Sequence, residues 1–271
     1  MTADQFCRLL EALLCSPRVQ SQWQISDRGM PVFAHTIDVA LLSLDAYPEW
    51  RDRFPDIRLD VVLIGCLLHD LTKVSARFGD GLSHSHIMTH EPSIAATEAM
   101  DALDEAAEVA SVWLDQEGID HVWHVVAAHH GQWGKVSPRT PEAALVHQSD
   151  NYSAMHHRIA PIDANDVLPL LERGYKWPQI GQLLGVSRAI VKSRLQDACR
   201  AERVRNATEL LDCWRVHGTV KPADEERACQ IERARFVIDF ARGCPDTLLK
   251  RVRAALPLEV RSLEAVSLVG Q

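Results

Sequence analysis

The sequence predicts an all-α protein. Apolar residues recur at helical rather than alternating spacing along nearly the whole 271-residue chain. Helix punctuation supports this. Thr140 followed by Pro141 reads as an N-cap and first helical residue, Gly131 falls where a helix ending at His130 must stop, and Pro92 sits in the first turn of the helix that His90 introduces.

In chain order, the spacing predicts helices over 3–15, 34–47, 58–74, 91–106, 119–130 and 141–158. The stretch IAPIDAND then interrupts the pattern near 158–166. Helical spacing resumes over 164–173, 177–184, 188–205 and 207–217, and ends with 223–242, 246–254 and 258–266. The interruption predicts a main helical domain over 1–158, a small helical module over 165–205 and C-terminal helices over 206–271.

Hydrophobic residues make up 46% of the chain and charged residues 24%, the composition of a soluble globular protein. No apolar run approaches the roughly 20 residues of a membrane span. The N-terminal stretch MTADQFCRLLEALLCSPR lacks a basic segment ahead of its apolar residues, so no signal peptide is expected, and a cytoplasmic location is the default expectation. The seven cysteines are scattered, with no C-x-x-C pair, which argues against a zinc ribbon or a disulfide framework.

Each of five predicted helices places a polar residue where its apolar stripe should run. His35 shares a face with Val39 and Leu42, and His129 follows Val122 and Val126. His90 precedes Ile94 by one turn, and Asp150 follows Val146 and Ala143. His69 and Asp70 interrupt the all-apolar run CLLHDLTKV. One inward histidine is ordinarily a hydrogen-bonded core residue; five such placements together are poorly explained that way. Imidazoles and carboxylates are ligands for divalent transition metals. A metal would also neutralise the costly buried charge of Asp70, whose two oxygens could bridge two ions.

These residues carry a family resemblance. The pattern His35, His69-Asp70, Asp150 resembles the signature of the HD superfamily of metal-dependent phosphohydrolases, an all-helical fold. The run AAHHGQWGKVSPRTPEAALVHQSDNYSA, residues 127–154, is similar to the HD domain of the YhaM-type 3′–5′ exoribonucleases. So is the order of elements across 30–156: FAHTIDVALL, LLHDLTKV, a histidine before a helix, HHG, and a Pro-Glu-Ala helix ending in Asp. The resemblance implies an HD-domain helical bundle with one or two divalent ions, manganese or iron first, with magnesium, nickel or zinc as alternatives. It implies one ion on His35, His69, Asp70 and Asp150, and a second on Asp70, His90 and His129 with His130 close by. A metal-activated water would attack a phosphoester. Asp70 and Lys73 would be the catalytic pair, with the Lys73 ammonium contacting a phosphate oxygen. Two departures stand out. The subgroup carries an oligonucleotide-binding barrel ahead of its HD domain, whereas the 34 residues before His35 read as helical; and Leu71-Thr72 replaces the usual Ile-Gly.

The other histidines divide. His84 and His86 fall in a loop near the site, either lining it or solvated; His147, one turn before Asp150, could support the ligands from behind. His121 and His124 lie off the inward face, and His156 and His157 end their helix.

Net charge is −8, yet residues 172–205 hold eight basic against three acidic residues, a local balance of +5 that leaves −13 elsewhere. Within that island, WPQIGQLLGVSRAIVKSRLQ (177–196) resembles a helix-turn-helix. Ile180, Leu183 and Leu184 pack the first helix, Gly185 makes the turn, Ser187 caps the second helix, and Ile190, Val191 and Leu195 face inward. Arg188, Lys192, Ser193 and Gln196 are left outward, as nucleic-acid recognition requires. A basic helical hairpin is the plain alternative. DNA contact through a single copy would be weak or would require a homodimer.

The expected function is metal-dependent hydrolysis of phosphoesters, with a single-stranded nucleic acid or a nucleotide as substrate. The alternatives are a nucleotide or dNTP phosphohydrolase, a DNA-binding regulator with a sensing HD domain, and a relaxase-like HD protein.

Overall fold

A computed structural model describes residues 1–78, 82–221 and 224–256. Its helices, in chain order, are α1 (Ala3–Cys15), α2 (Pro17–Gln20), α3 (Val32–Arg53), α4 (Leu59–Leu68), α5 (Thr72–Phe78), α6 (His84–His90), α7 (Pro92–Ala110), α8 (Gln116–Ala128), α9 (Pro141–His156), α10 (Ala164–Glu172), α11 (Trp177–Leu183), α12 (Arg188–Glu202), α13 (Ala207–His217), α14 (Glu225–Arg242) and α15 (Asp246–Ala255). Strand is confined, among the described residues, to the two-residue β1 (Ser26–Asp27) and β2 (Met30–Pro31), so the fold is all-α. By compactness the chain divides into two units. One comprises Met1–Ile25, Pro31–Ala154 and the described residues from Asp239; the other comprises Ser26–Met30 and Met155–Ile238.

In the first unit, α1 opens at a capping box in which Thr2 and Gln5 satisfy each other's backbone N–H groups. It buries Phe6, Leu9, Leu10, Leu13 and Leu14 at helical spacing. The centre is α4, apolar all round, with Val61 to Leu68 all buried; it packs on α3 and α8. Gly65 is the reason α8 comes so close: a Cβ there would lie 2.5 Å from Val125. Asp115 caps α8 by accepting from the Gly118 N–H, and Thr140 caps α9 by accepting from the Ala143 N–H.

The single helix expected over 58–74 is two helices. The His69 N–H still reaches Gly65 O, but the Leu71, Lys73 and Val74 N–H groups reach only three residues back, to Leu68, Asp70 and Leu71. This tightening turns the chain between α4 and α5. Adjacent residues on one helix do not share a face; the turn lets both His69 and Asp70 be buried inward.

The second unit has its own core, including Ile162, Val167, Leu168, Ile180, Val191, Leu195, Leu210 and Val220. The arrangement departs from the expected segments 165–205 and 206–271. Leu210 and Val220 belong to the same core as Ile180 and Val191, while α15 packs on α1 in the first unit. The turn between α11 and α12 is tight. Gly185 holds φ at +66°, and a Cβ on Gly181 would sit 2.7 Å from Val186 O. Ser187 caps α12 by accepting from the Ile190 N–H. Arg194 is buried and donates to the carbonyls of Ile162 (2.8 Å) and Ala160 (3.2 Å). The helix expected over 258–266 lies outside the described residues.

Candidate metal centre

The turn after α4 carries the centre. Asp70 is buried, and its two carboxylate oxygens face different sets of donors. Oδ2 lies 3.6 Å from His35 Nε2 and 3.4 Å from His69 Nε2, and Asp150 Oδ1 is 3.0 Å from the same His35 nitrogen and 3.8 Å from His69 Nε2. Oδ1 lies 3.2 Å from His84 Nε2 and 3.9 Å from His129 Nε2. His84, His129 and His130 form a second cluster whose donor atoms lie within 4.8 Å of one another, as do those of His35, His69 and Asp70.

Hydrogen bonds fix which ring nitrogen each histidine aims inward. His69 Nδ1–H donates to Cys66 O and His129 Nδ1–H donates to Val126 O, each at 2.7 Å. Ser153 donates its O–H to Asp38 Oδ2 (2.8 Å), so its oxygen is the acceptor for His35 Nδ1–H at 2.9 Å. With those protons committed outward, the Nε2 atoms of His69 and His129 are the inward nitrogens left to a cation, while His35 Nε2 donates to Asp150 Oδ1 at 3.0 Å. Nε2 of His69, His84 and His129 are buried without a hydrogen-bond partner. Buried polar atoms are almost always satisfied, so three such atoms converging on two carboxylates form a site chemically suited to a cation.

Local charge agrees with that reading. Burial raises the Asp70 carboxyl, but Lys73, His69 and His84 outweigh it and hold the group well below the usual carboxylate range. Burial likewise opposes ionisation of Asp150, and the hydrogen bond from His35 leads the effects that override it and hold the carboxyl low. On the other side, burial and the neighbouring imidazoles hold His129 neutral, and burial with His84 pushes His130 down to about 4. Neutral imidazole is the form that ligates metal.

The structure brings together His35, His69, Asp70, His129, His130 and Asp150, with Lys73 Nζ 2.7 Å from Asp70 Oδ2. It does not bring in His90, which is exposed and stacked on His86, with its carbonyl accepting from Lys135. His84 stands in that place instead, one helix end earlier, hydrogen-bonded to Thr72 Oγ1 at 2.7 Å. Sequence reasoning left His84 open because no apolar stripe gives the short α6 a phase. His147 sits behind the site: its Nδ1–H donates to His129 O at 2.6 Å. Gly131, with φ at +54°, makes room for it, since a Cβ there would fall 2.3 Å from the His147 ring. His121 lies elsewhere, facing the buried Glu142, and His124 Nε2 accepts from the Arg139 N–H. In the second unit Arg188, Lys192, Ser193 and Gln196 are all exposed on α12.

Residues 32–155 match the HD domain family, and the bundle from α3 to α9 with its histidine-aspartate centre is an HD domain. Among curated proteins the chain is similar to the 3′–5′ exoribonuclease YhaM of Bacillus pumilus (strain SAFR-032), 34% identical over 116 residues, covering 38% of this chain and 33% of that protein. It is similar also to YhaM of Bacillus subtilis (strain 168), 32% identical over the same length and shares. The chain thus spans about a third of the length of the curated relatives it matches. No solved structure matches it. No helix among the described residues is long and apolar enough to cross a membrane.

Proposed function

We propose that this HD domain is a metal-dependent phosphodiesterase whose substrate is single-stranded nucleic acid. The observation that carries the reading is the Asp70 carboxylate, buried with one oxygen facing His35 and His69 and the other facing His84 and His129. His35, His69, Asp70 and Asp150 would hold one divalent ion, and Asp70, His84, His129 and His130 a second. The mixed imidazole and carboxylate set suits manganese or iron before magnesium. Bound there, such ions supply Lewis acidity for activating water and neutralising phosphate charge.

The chain's own residues prepare that chemistry. Cys66 O and Val126 O hold His69 and His129 in the tautomer that turns Nε2 towards a cation, and Ser153 Oγ orients His35, whose Nε2 lies 3.0 Å from Asp150 Oδ1. Lys73 compensates the charge of Asp70 and stands as a point-charge donor to a phosphate oxygen. The YhaM relatives are named for 3′–5′ cleavage of RNA, which supports a nucleic-acid phosphodiester over a mononucleotide.

The test is hydrolysis of bis(p-nitrophenyl) phosphate by the purified protein with manganese. Activity abolished by chelator and by Asp70→Ala is expected. A wild-type protein that binds no metal and cleaves no phosphoester overturns the reading, and turnover of mononucleotides but not oligonucleotides replaces it with a nucleotide phosphohydrolase.

A second reading concerns the second unit. Arg188 and Lys192 are exposed one turn apart on α12, behind a turn set by Gly181 and Gly185, and duplex DNA is the polyanion such a helix fits. A homodimer would supply the second reading helix. Retardation of duplex DNA that disappears in Arg188→Glu/Lys192→Glu is expected; retardation unchanged by the double substitution removes this reading.

A further inference from the structure

The histidine pair His129-His130 is followed by a tight turn that ends in an exposed tryptophan. Trp133 is 58% exposed. Exposure alone says little, since Trp113 is 61% exposed. What separates Trp133 is its mounting on the hydrogen-bonded turn that directly follows His129 and His130. The Trp133 N–H donates to His130 O at 3.1 Å, and the Gly134 N–H to Gly131 O at 3.1 Å. Gly134 packs closely on His130, where a Cβ would sit 3.0 Å from His130 Cβ. The indole ring is 6.2 Å from His147, the residue bonded to His129 O.

The turn is tied to α6 as well. The Lys135 N–H donates to Met88 O (3.1 Å), and Lys135 Nζ donates to His90 O (2.9 Å). His86 and His90 stack on each other there, ring centroids 4.2 Å apart, both exposed. One helix, α6, therefore aims His84 at the metal centre and presents His86 and His90 to solvent beside Lys135. An aromatic face, an ammonium and two imidazoles form a fixed rim next to the centre.

We propose that this rim is the seat for a single strand: a base beside the scissile phosphodiester stacks on Trp133, and backbone phosphates lie against Lys135, His86 and His90. The proposal rests on the phosphodiesterase reading above and deepens it by naming how a strand is held. A π-face accepts any base, so the rim would bind without sequence preference, and backbone contacts through a cation make binding salt-dependent.

The experiment is equilibrium binding of a fluorescently labelled oligothymidylate to the full chain in chelator, where no turnover occurs. The same strand carrying abasic sites is run in parallel. Trp133→Ala is expected to weaken binding of the intact strand roughly ten- to a hundredfold, while binding of the abasic strand changes little. Trp133→Phe is expected to recover most of the loss. Lys135→Ala is expected to reduce the slope of log affinity against log salt by about 0.7. Equal weakening of intact and abasic strands by Trp133→Ala, or no weakening of either, overturns the stacking platform. Because binding is read without metal, its failure is distinct from failure of the phosphodiesterase reading, which shows as absent hydrolysis of bis(p-nitrophenyl) phosphate.

Discussion

Gly131→Ala should damage the candidate metal centre without touching a proposed ligand. Gly131 holds φ at +54°, where a non-glycine residue costs about 1–2 kcal/mol. The new methyl group would also lie 2.3 Å from the His147 ring, so the imidazole must move and give up its 2.6 Å bond to His129 O, worth about 1 kcal/mol. Together these predict a loss of about 2–3 kcal/mol in urea unfolding. Disturbing groups that support a metal-ligating histidine lowers metal affinity by roughly 10–100-fold, and manganese titration into the stripped protein should show a loss in that range. The double variant Gly131→Ala/His147→Ala separates the two costs. It removes the clash, so it should be more stable than the sum of the single losses implies. A Gly131→Ala protein within about 0.5 kcal/mol of wild type, with unchanged manganese affinity, would refute the steric reasoning.

Other consequences follow from the same geometry. Ser153→Ala removes the acceptor that orients His35, and manganese affinity should fall roughly 10–100-fold while far-UV circular dichroism is preserved. His130, held neutral by burial and by His84 down to about pH 4, binds a proton more readily unfolded than folded. Its contribution is therefore unfavourable as pH falls from about 6.5 towards 4, reaching roughly 3 kcal/mol. Metal-stripped wild type should accordingly lose more urea resistance between pH 7.5 and 4.5 than His130→Asn does. Manganese at a hundred times its dissociation constant should stabilise the folded chain by about 2.7 kcal/mol, read as a rise in the urea midpoint that chelator reverses.

Much of the centre was legible in the sequence because burial and polarity conflict there. His35 beside Val39, His129 beside Val122 and Val126, and Asp150 beside Ala143 and Val146 each interrupt an apolar helical spacing, and the chain folds so that the three meet around Asp70. Periodicity failed where a helix has no polar side. The residues of α4 are apolar in every direction, so nothing in their spacing marks the turn after Leu68 that lets His69 and Asp70 share one site. The choice between His84 and His90 was hidden for a related reason. Both end the same seven-residue helix, and only its docking decides which end meets Asp70. Gly131 was legible as a helix stop, but the space it leaves for His147 exists only in three dimensions. The division of the C-terminal helices was likewise invisible, since Leu210 and Leu249 look alike in sequence and join different units.

The central claim is that Asp70 joins two cation sites. Metal content per chain, measured after loading with manganese and desalting, tests it directly. Two equivalents are predicted for wild type, about one for Asp150→Ala and for His84→Ala, and well under one for Asp70→Asn. An Asp70→Asn protein that keeps the full wild-type metal content would contradict the account.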